Sequence, residues 1–282
     1  MTAPFLARRS VTELSARERA RALLDEGTFR ELLGPFDRLE SPWLPLQQIV
    51  PESDDGVVIA RGTLSGTSAV VMAIEGKFQG GSMGEVSATK IAAALAHACD
   101  DCVSGHPVLP VLLLETGGVR LQEANLGLAG IAEIHAETIA LRRHVPVIGV
   151  VTGTVGCFGG MSITAALCSY LIVTPHARLG LNGPDVIEQE AGIDELDASD
   201  RRAIWSLMGG EQRYETGFAD ALIDDDVDQL RRTIVELAAR GVPARHRSEQ
   251  VDVYQRRLRA IDPSAPPDAS ALRALWRKGN AS

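Results

Sequence analysis

The sequence predicts an α/β fold, a mixed or parallel sheet covered by helices, and two observations carry that expectation. Unbroken apolar runs such as "PVLPVLLLE" and "VPVIGVV" alternate with longer helical stretches, the pattern of β-α-β crossovers. Glycine clusters, "FQGGSMGE", "ETGGVR" and "GCFGGM", stand where strands hand over to helices, and glycine is the residue that tolerates the turns needed there.

Residues 12 to 25 carry Ser and Thr caps and apolar spacing suited to a helix that leans on something else. "GVVIARGTL" and "TSAVVMAIE" read as adjacent strands around the turn "SGT". The glycine loop at 78–85 opens a helix, after which "PVLPVLLLE", apolar throughout, suits a strand covered on both faces. Residues from about 120 to 143 are expected as helix, "VPVIGVV" as a buried strand, "FGGMSITAALC" as the start of a helix and "YLIVT" as a further strand. From roughly 183 to 282 the chain reads as mainly helical. There "DVDQLRRTIVELAARG" ends on a glycine C-cap signal, and the proline-rich "DPSAPPDAS" precedes a short terminal helix. The expected division is one domain over 1–226 and a C-terminal helical extension over 227–282.

With 282 residues, 45% of them hydrophobic, the chain can bury a substantial core. Its net charge of −9 argues against nucleic acid or an anionic membrane as the main partner. "MTAPFLARRSVTEL" holds no apolar run of the signal-peptide kind, and no later run reaches the roughly 18 apolar residues of a membrane span. A cytoplasmic location is therefore expected. Cys99 and Cys102 form a C-x-x-C inside the helical run "KIAAALAHACDDCV", while Cys157 and Cys168 supply no second such pair. Four cysteines so arranged make neither a disulfide framework nor a zinc ribbon, and no metal is expected.

The clusters at 115–120 and 156–161 each follow a buried strand and open a helix. Amides in the first turn of a helix have no intrahelical partner and lie at the positive end of its dipole. Two such turns facing each other offer N–H groups to one carbonyl oxygen, an oxyanion hole for an enolate or tetrahedral intermediate. The candidate donors are Gly117, Gly118 and Val119 on the first turn and Gly159, Gly160 and Met161 on the second. Glycine pairs at such turns also serve as packing devices. Neither cluster is a G-x-G-x-x-G, and no Walker pattern occurs, which excludes the familiar dinucleotide and P-loop signatures.

Gly80-x-Ser82-x-Gly84 has the spacing of a nucleophile elbow, but an elbow needs its strand to run straight into the serine. Here "GKFQGG" intervenes after Glu75, and none of the six histidines stands in a triad context. The glycines are expected to let the loop turn tightly into the helix beginning near Gly84.

Taken in order, these pieces resemble the carboxyltransferase branch of the crotonase-like superfamily. "ARERARALLDEGTFREL" looks like its N-terminal helix and turn, "FQGGSMGEVSATKI" like its glycine loop, and "ETGGVRLQE" and "GCFGGM" like its two oxyanion motifs. "NGPDVIEQ" at 182–189 is similar to a downstream Gly-Pro-x-Val-Ile-Glu-Gln signature, and the likeness covers about residues 16 to 226. Within that branch the sequence most resembles the family of malonate decarboxylase beta subunits. It lacks the four-cysteine ribbon of bacterial acetyl-CoA carboxylase beta subunits, and "ETGGVR" replaces their Ser-Gly-Gly-Ala-Arg-Met type run. No biotin-attachment motif is visible.

The resemblance implies a crotonase-like β-β-α superhelix of the carboxyltransferase N-domain type. It implies a gamma subunit that completes the active site, an acyl carrier protein and an acyl carrier protein transferase subunit as partners. The substrate would be a malonyl thioester on the CoA-derived prosthetic group of the carrier, with no cofactor on this chain, and the products the acetyl thioester and carbon dioxide. Substrate binding would fall to Gly80, Gly81, Ser82, Met83, Arg120, Cys157 and Phe158. For Arg120 a structural ion pair with neighbouring Glu115 or Glu123 is the competing role. Two rival activities follow: a beta-type subunit of a biotin-dependent acetyl-CoA carboxylase or malonate decarboxylase, and a solitary crotonase-type hydratase or isomerase using Glu115 and Glu123 as an acid–base pair. A non-catalytic scaffold, whose glycine turns only pack, is the third.

Overall fold

Seven strands in the order β1 to β7 form one sheet in the computed structural model, which describes residues 8–153, 155–265 and 267–278. The N-terminal stretch at 1–7 and Thr154, within the second glycine run, lie outside the described residues. After α1 (Ala16–Leu23) come β1 (Arg30–Leu32), β2 (Val57–Leu64) and β3 (Thr67–Ile74), paired antiparallel. The glycine loop leads into α2 (Glu85–Val103) and β4 (Leu109–Leu113), then α3 (Asn125–Leu141) and β5 (Ile148–Val151), then α4 (Gly160–Leu167) and β6 (Tyr170–Val173). Three short helices, α5 (Pro184–Ala191), α6 (Arg201–Met208) and α7 (Gly210–Glu215), precede β7 (Ala221–Leu222). The chain continues in α8 (Val227–Ala239), α9 (Val251–Arg259) and α10 (Ala269–Lys278).

From β3 to β7 every neighbouring pair is parallel. Successive side chains leave a strand on opposite faces, and here both sets are apolar. Val57, Ile59, Met72, Leu112 and Leu171 join the core beneath α2, α3 and α4. Val58, Val71, Val111, Ile148 and Ile172 join a second core closed by α1 and α8. That double burial is why these strands read as continuous apolar runs rather than alternating ones.

The sequence reading anticipated the helices and the five longer strands. It missed β1 and β7, which are three and two residues long and too short to carry a period. The division expected at 226/227 falls at the start of α8, whose Leu230, Ile234 and Leu237 are buried in the core shared with α1 and the sheet. The hydrophobic core therefore continues past residue 226. Cys99 and Cys102, both free, lie on α2 and pack against the first core.

Candidate active site at two glycine corners

Because β3, β4 and β5 are parallel neighbours, the loops that leave them emerge together at the carboxyl edge of the sheet, where α/β folds bind ligands. The glycine loop and the first corner are joined by three backbone hydrogen bonds, and a fourth closes the loop on itself. Gly117 N–H donates to Gly80 O (2.9 Å), Met83 N–H to Gly118 O (2.7 Å), Arg120 N–H to Met83 O (2.8 Å) and Gly81 N–H to Phe78 O (2.8 Å) within the loop itself. Gly81 holds φ +66°, and a Cβ there would lie 1.9 Å from Glu115 O, so only glycine lets the loop sit on the end of β4.

The second corner is tied to the first in the same way. Thr116 N–H donates to Gly156 O (2.8 Å) and Phe158 N–H to Thr116 O (3.0 Å). The two backbones then touch. A Cβ on Gly118 would meet Gly159 Cα at 3.2 Å, and one on Gly159 would meet Gly118 Cα at 3.1 Å. Glycine pairing here is a requirement of close approach as well as of φ, which is +107° at Gly118 and +60° at Gly159.

These bonds narrow the set of anion-binding amides. Those of Gly117, Gly118 and Gly159, expected among the donors, are engaged by Gly80 O, by Thr116 Oγ1 (3.0 Å) and by Leu181 O (2.7 Å). Val119 presents its amide away from Met83, since in their parallel bridge the flanking Gly118 and Arg120 make the bonds. Gly160 and Met161 occupy the first turn of α4. Among the described residues no acceptor meets the amides of Val119, Gly160 or Met161. The corner is open at Val119 and Gly160, which are half-buried like Gly159, beside the exposed Gly117; Met161 has no solvent exposure and leaves Val119 and Gly160 as the reachable donors. The corner can take one oxyanion on amides from two crossovers.

Several side chains named for substrate binding are turned inward. Arg120 is fully buried, and its guanidinium donates to Asp55 Oδ1 (2.6 Å), Glu123 Oε1 (2.9 Å), Ser82 O (3.0 Å) and Ser82 Oγ (3.4 Å). It clamps the glycine loop to the first corner rather than facing a ligand. Its partners are Asp55 and Glu123, not Glu115. Burial pushes the Asp55 carboxyl up, against the pull of Arg120 and of Ser87. Ser82 has extended backbone, φ −69° and ψ 144°, and no histidine bonds to it among the described residues. The Cys157 thiol is wholly buried and pushed far up by desolvation, and Phe158 packs with Leu196, Ile204 and Met208. Met83 belongs to the first core. Gly80 is exposed beside Gly117.

Sequence reasoning offered Glu115 as an ion-pair partner of Arg120 or as an acid–base residue; instead it staples the two corners. Its carboxylate accepts from Thr152 N–H (3.0 Å) and Oγ1 (2.7 Å), Gly153 N–H (2.6 Å), Val155 N–H (2.9 Å) and Gly156 N–H (3.4 Å). Burial raises its pKa, but the Gly153, Thr152 and Val155 bonds outweigh that and hold it below the ordinary 4.5. A depressed carboxylate stabilises the fold above its unfolded pKa and loses that contribution as pH falls through the folded value. Glu115→Gln puts an NH2 against N–H donors and should cost about 1–3 kcal/mol at neutral pH. The variant's stability should also fall less steeply with acid than the parent's, read from urea midpoints across pH 3 to 7, roughly the range of carboxyl titration. Glu123 accepts from Arg120, Ser41 Oγ (2.7 Å) and Glu85 N–H (2.7 Å). With both carboxylates committed to the interior, the acid–base pair of a hydratase is not presented at the opening.

Comparisons with known proteins agree with this architecture. A carboxyl transferase domain profile matches residues 8–273, across the 226/227 division. The chain is 41% identical over 258 residues to the malonyl-S-ACP:biotin-protein carboxyltransferase of Malonomonas rubra, covering 88% of this chain and 79% of that protein. It is 32% identical over 180 residues to the methylmalonyl-CoA carboxyltransferase 12S subunit of Propionibacterium freudenreichii subsp. shermanii, covering 64% of this chain but 33% of that longer one. Among solved structures, a chain of a Pseudomonas malonate decarboxylase hetero-tetramer in complex with malonate superposes with a TM-score of 0.95. The identity is 60%, with 98% of this chain and 100% of that chain covered. The resemblance and the fold expected from the motifs are thereby borne out: the chain belongs to the carboxyl transferase domain family.

Proposed function

We propose that this chain is the beta-type subunit of a malonate decarboxylase, and that it releases carbon dioxide from a malonyl thioester carried on an acyl carrier protein. The supporting observation is the backbone contact of Gly118 with Gly159, which brings together the two corners carrying the unengaged, half-buried amides of Val119 and Gly160. When the C–C bond to the carboxylate breaks, its electron pair passes to the α-carbon and on to the thioester oxygen as an enolate. Protonation of the α-carbon then gives the acetyl thioester. Amides that strengthen their hold as charge grows on that oxygen lower the barrier.

The opening is rimmed by apolar side chains that a partner would cover. Leu121 is 81% exposed and Leu181 62% exposed, beside the first and second corners. A gamma subunit seated there excludes water from the enolate, which strengthens the amide–oxyanion interaction. The carrier's prosthetic arm supplies the thioester; this chain supplies the amides.

The Malonomonas relative's name favours a second reading, transfer of the carboxyl group to a biotin protein. Radiolabelled malonyl thioester and the co-purified complex separate the two. Release should proceed at full rate with avidin present and no biotinyl carrier added; strict dependence on such a carrier, with avidin abolishing turnover, would assign transfer instead.

A further inference from the structure

We infer that His135 is a positioning residue for the oxyanion-binding amides. His135 lies on α3, which follows the first corner, and its Nε2 sits 2.9 Å from Gly160 O on the first residue of α4. A carbonyl oxygen only accepts, so Nε2 carries the hydrogen, and this contact fixes the Nε2–H tautomer. Ile131, one turn earlier on α3, packs on the same residue: a Cβ on Gly160 would fall 2.8 Å from Ile131 Cγ2. Two side chains at i and i+4 thus hold residue 160, one by contact and one by hydrogen bond.

The bonded carbonyl belongs to Gly160 itself, the residue whose half-buried amide is unengaged at the corner. The bond fixes the first turn of α4 against α3, and with it the position of the Gly160 amide relative to the first corner. His135 therefore acts through the peptide, without touching substrate.

The inference rests on the reading of the corners as an oxyanion site. It is tested in the intact complex with His135→Phe, which keeps a ring but removes the donor, and His135→Gln, which restores a donor. His135→Phe should lower kcat about tenfold with KM unchanged, less than the 10²–10³ of deleting a donor outright, and His135→Gln should recover most of that loss. Wild-type kcat in a folded His135→Phe, or equal impairment in both variants, would overturn it. Should His135→Phe not fold, ring-nitrogen NMR of the wild-type protein decides, because an Nδ1–H tautomer is incompatible with the bond. Parallel assay of Gly159→Ala separates the layers. If that variant also turns over normally, the oxyanion reading falls and this inference with it; if it alone is impaired, only the role of His135 is lost.

Discussion

Gly159→Val should abolish turnover of malonyl thioester, by a factor of about 10³ or more, while the purified complex still assembles. The residue holds φ +60°, and its Cβ would meet the backbone of Gly118 at 3.1 Å. Neither atom is the end of a flexible side chain, so the strain is relieved only by parting the corners. A shift of about 1 Å suffices to misplace catalytic groups. Val119 on one side and Gly160 on the other then no longer reach the same oxygen, and losing one oxyanion donor alone costs about 10²–10³ in kcat. Gly160→Ala is the milder companion. There the neighbour is the side chain of Ile131 at 2.8 Å, which has a rotamer to give, so the loss should be smaller. Thermal midpoints and co-purification of the partner establish that each variant is folded. Normal kcat in a folded Gly159→Val removes the site assignment.

How much of this was legible beforehand follows from what each feature is made of. The parallel strands announced themselves because both faces are buried, which makes Leu109–Leu113 and Tyr170–Val173 apolar throughout. The corners were legible because close backbone approach demands glycine, a residue-type signal. Which amides stay free was not legible. It depends on Gly80 O and Leu181 O arriving from elsewhere in the chain to occupy Gly117 and Gly159, and long-range pairing leaves no local mark. Arg120 and Glu115 misled for the same reason. Beside a glycine motif a charged residue suggests a ligand, and only the fold shows Asp55, 65 positions away in sequence, closing on the guanidinium. None of the six histidines stands out in the sequence, His135 included, since its partner at Gly160 lies across a crossover. Ala124, at φ 48° just before α3, gave no warning in its residue type.

Arg120→Met should destabilise the fold by about 3–5 kcal/mol, because it removes one partner of a buried ionic cluster and leaves the others behind. Asp55, Glu123 and the Arg120 guanidinium are all without solvent exposure, so the two carboxylates cannot recruit water in its place. They also anchor the surroundings, Asp55 through Ser87 N–H (2.8 Å) and Glu123 through Glu85 N–H (2.7 Å), both on the first turn of α2. Arg120→Lys should recover little. An ammonium is a point donor, and the fork that spans Asp55, Glu123 and the Ser82 carbonyl needs a guanidinium's geometry. The sign of the pH dependence separates a stranded charge from simple loss of packing. In Arg120→Met the Asp55 carboxyl, already pushed up by burial, loses the opposing pull of Arg120, so it binds a proton more readily folded than unfolded. The variant's deficit against the parent should then shrink as pH falls from about 7 toward 5, before most exposed carboxyls titrate. Urea midpoints of both proteins at the two pH values measure it. A deficit independent of pH would mean that Arg120 fills space and stacks on Phe78, 5.2 Å from its ring centre, and that its charge contributes little to holding the glycine loop against the first corner.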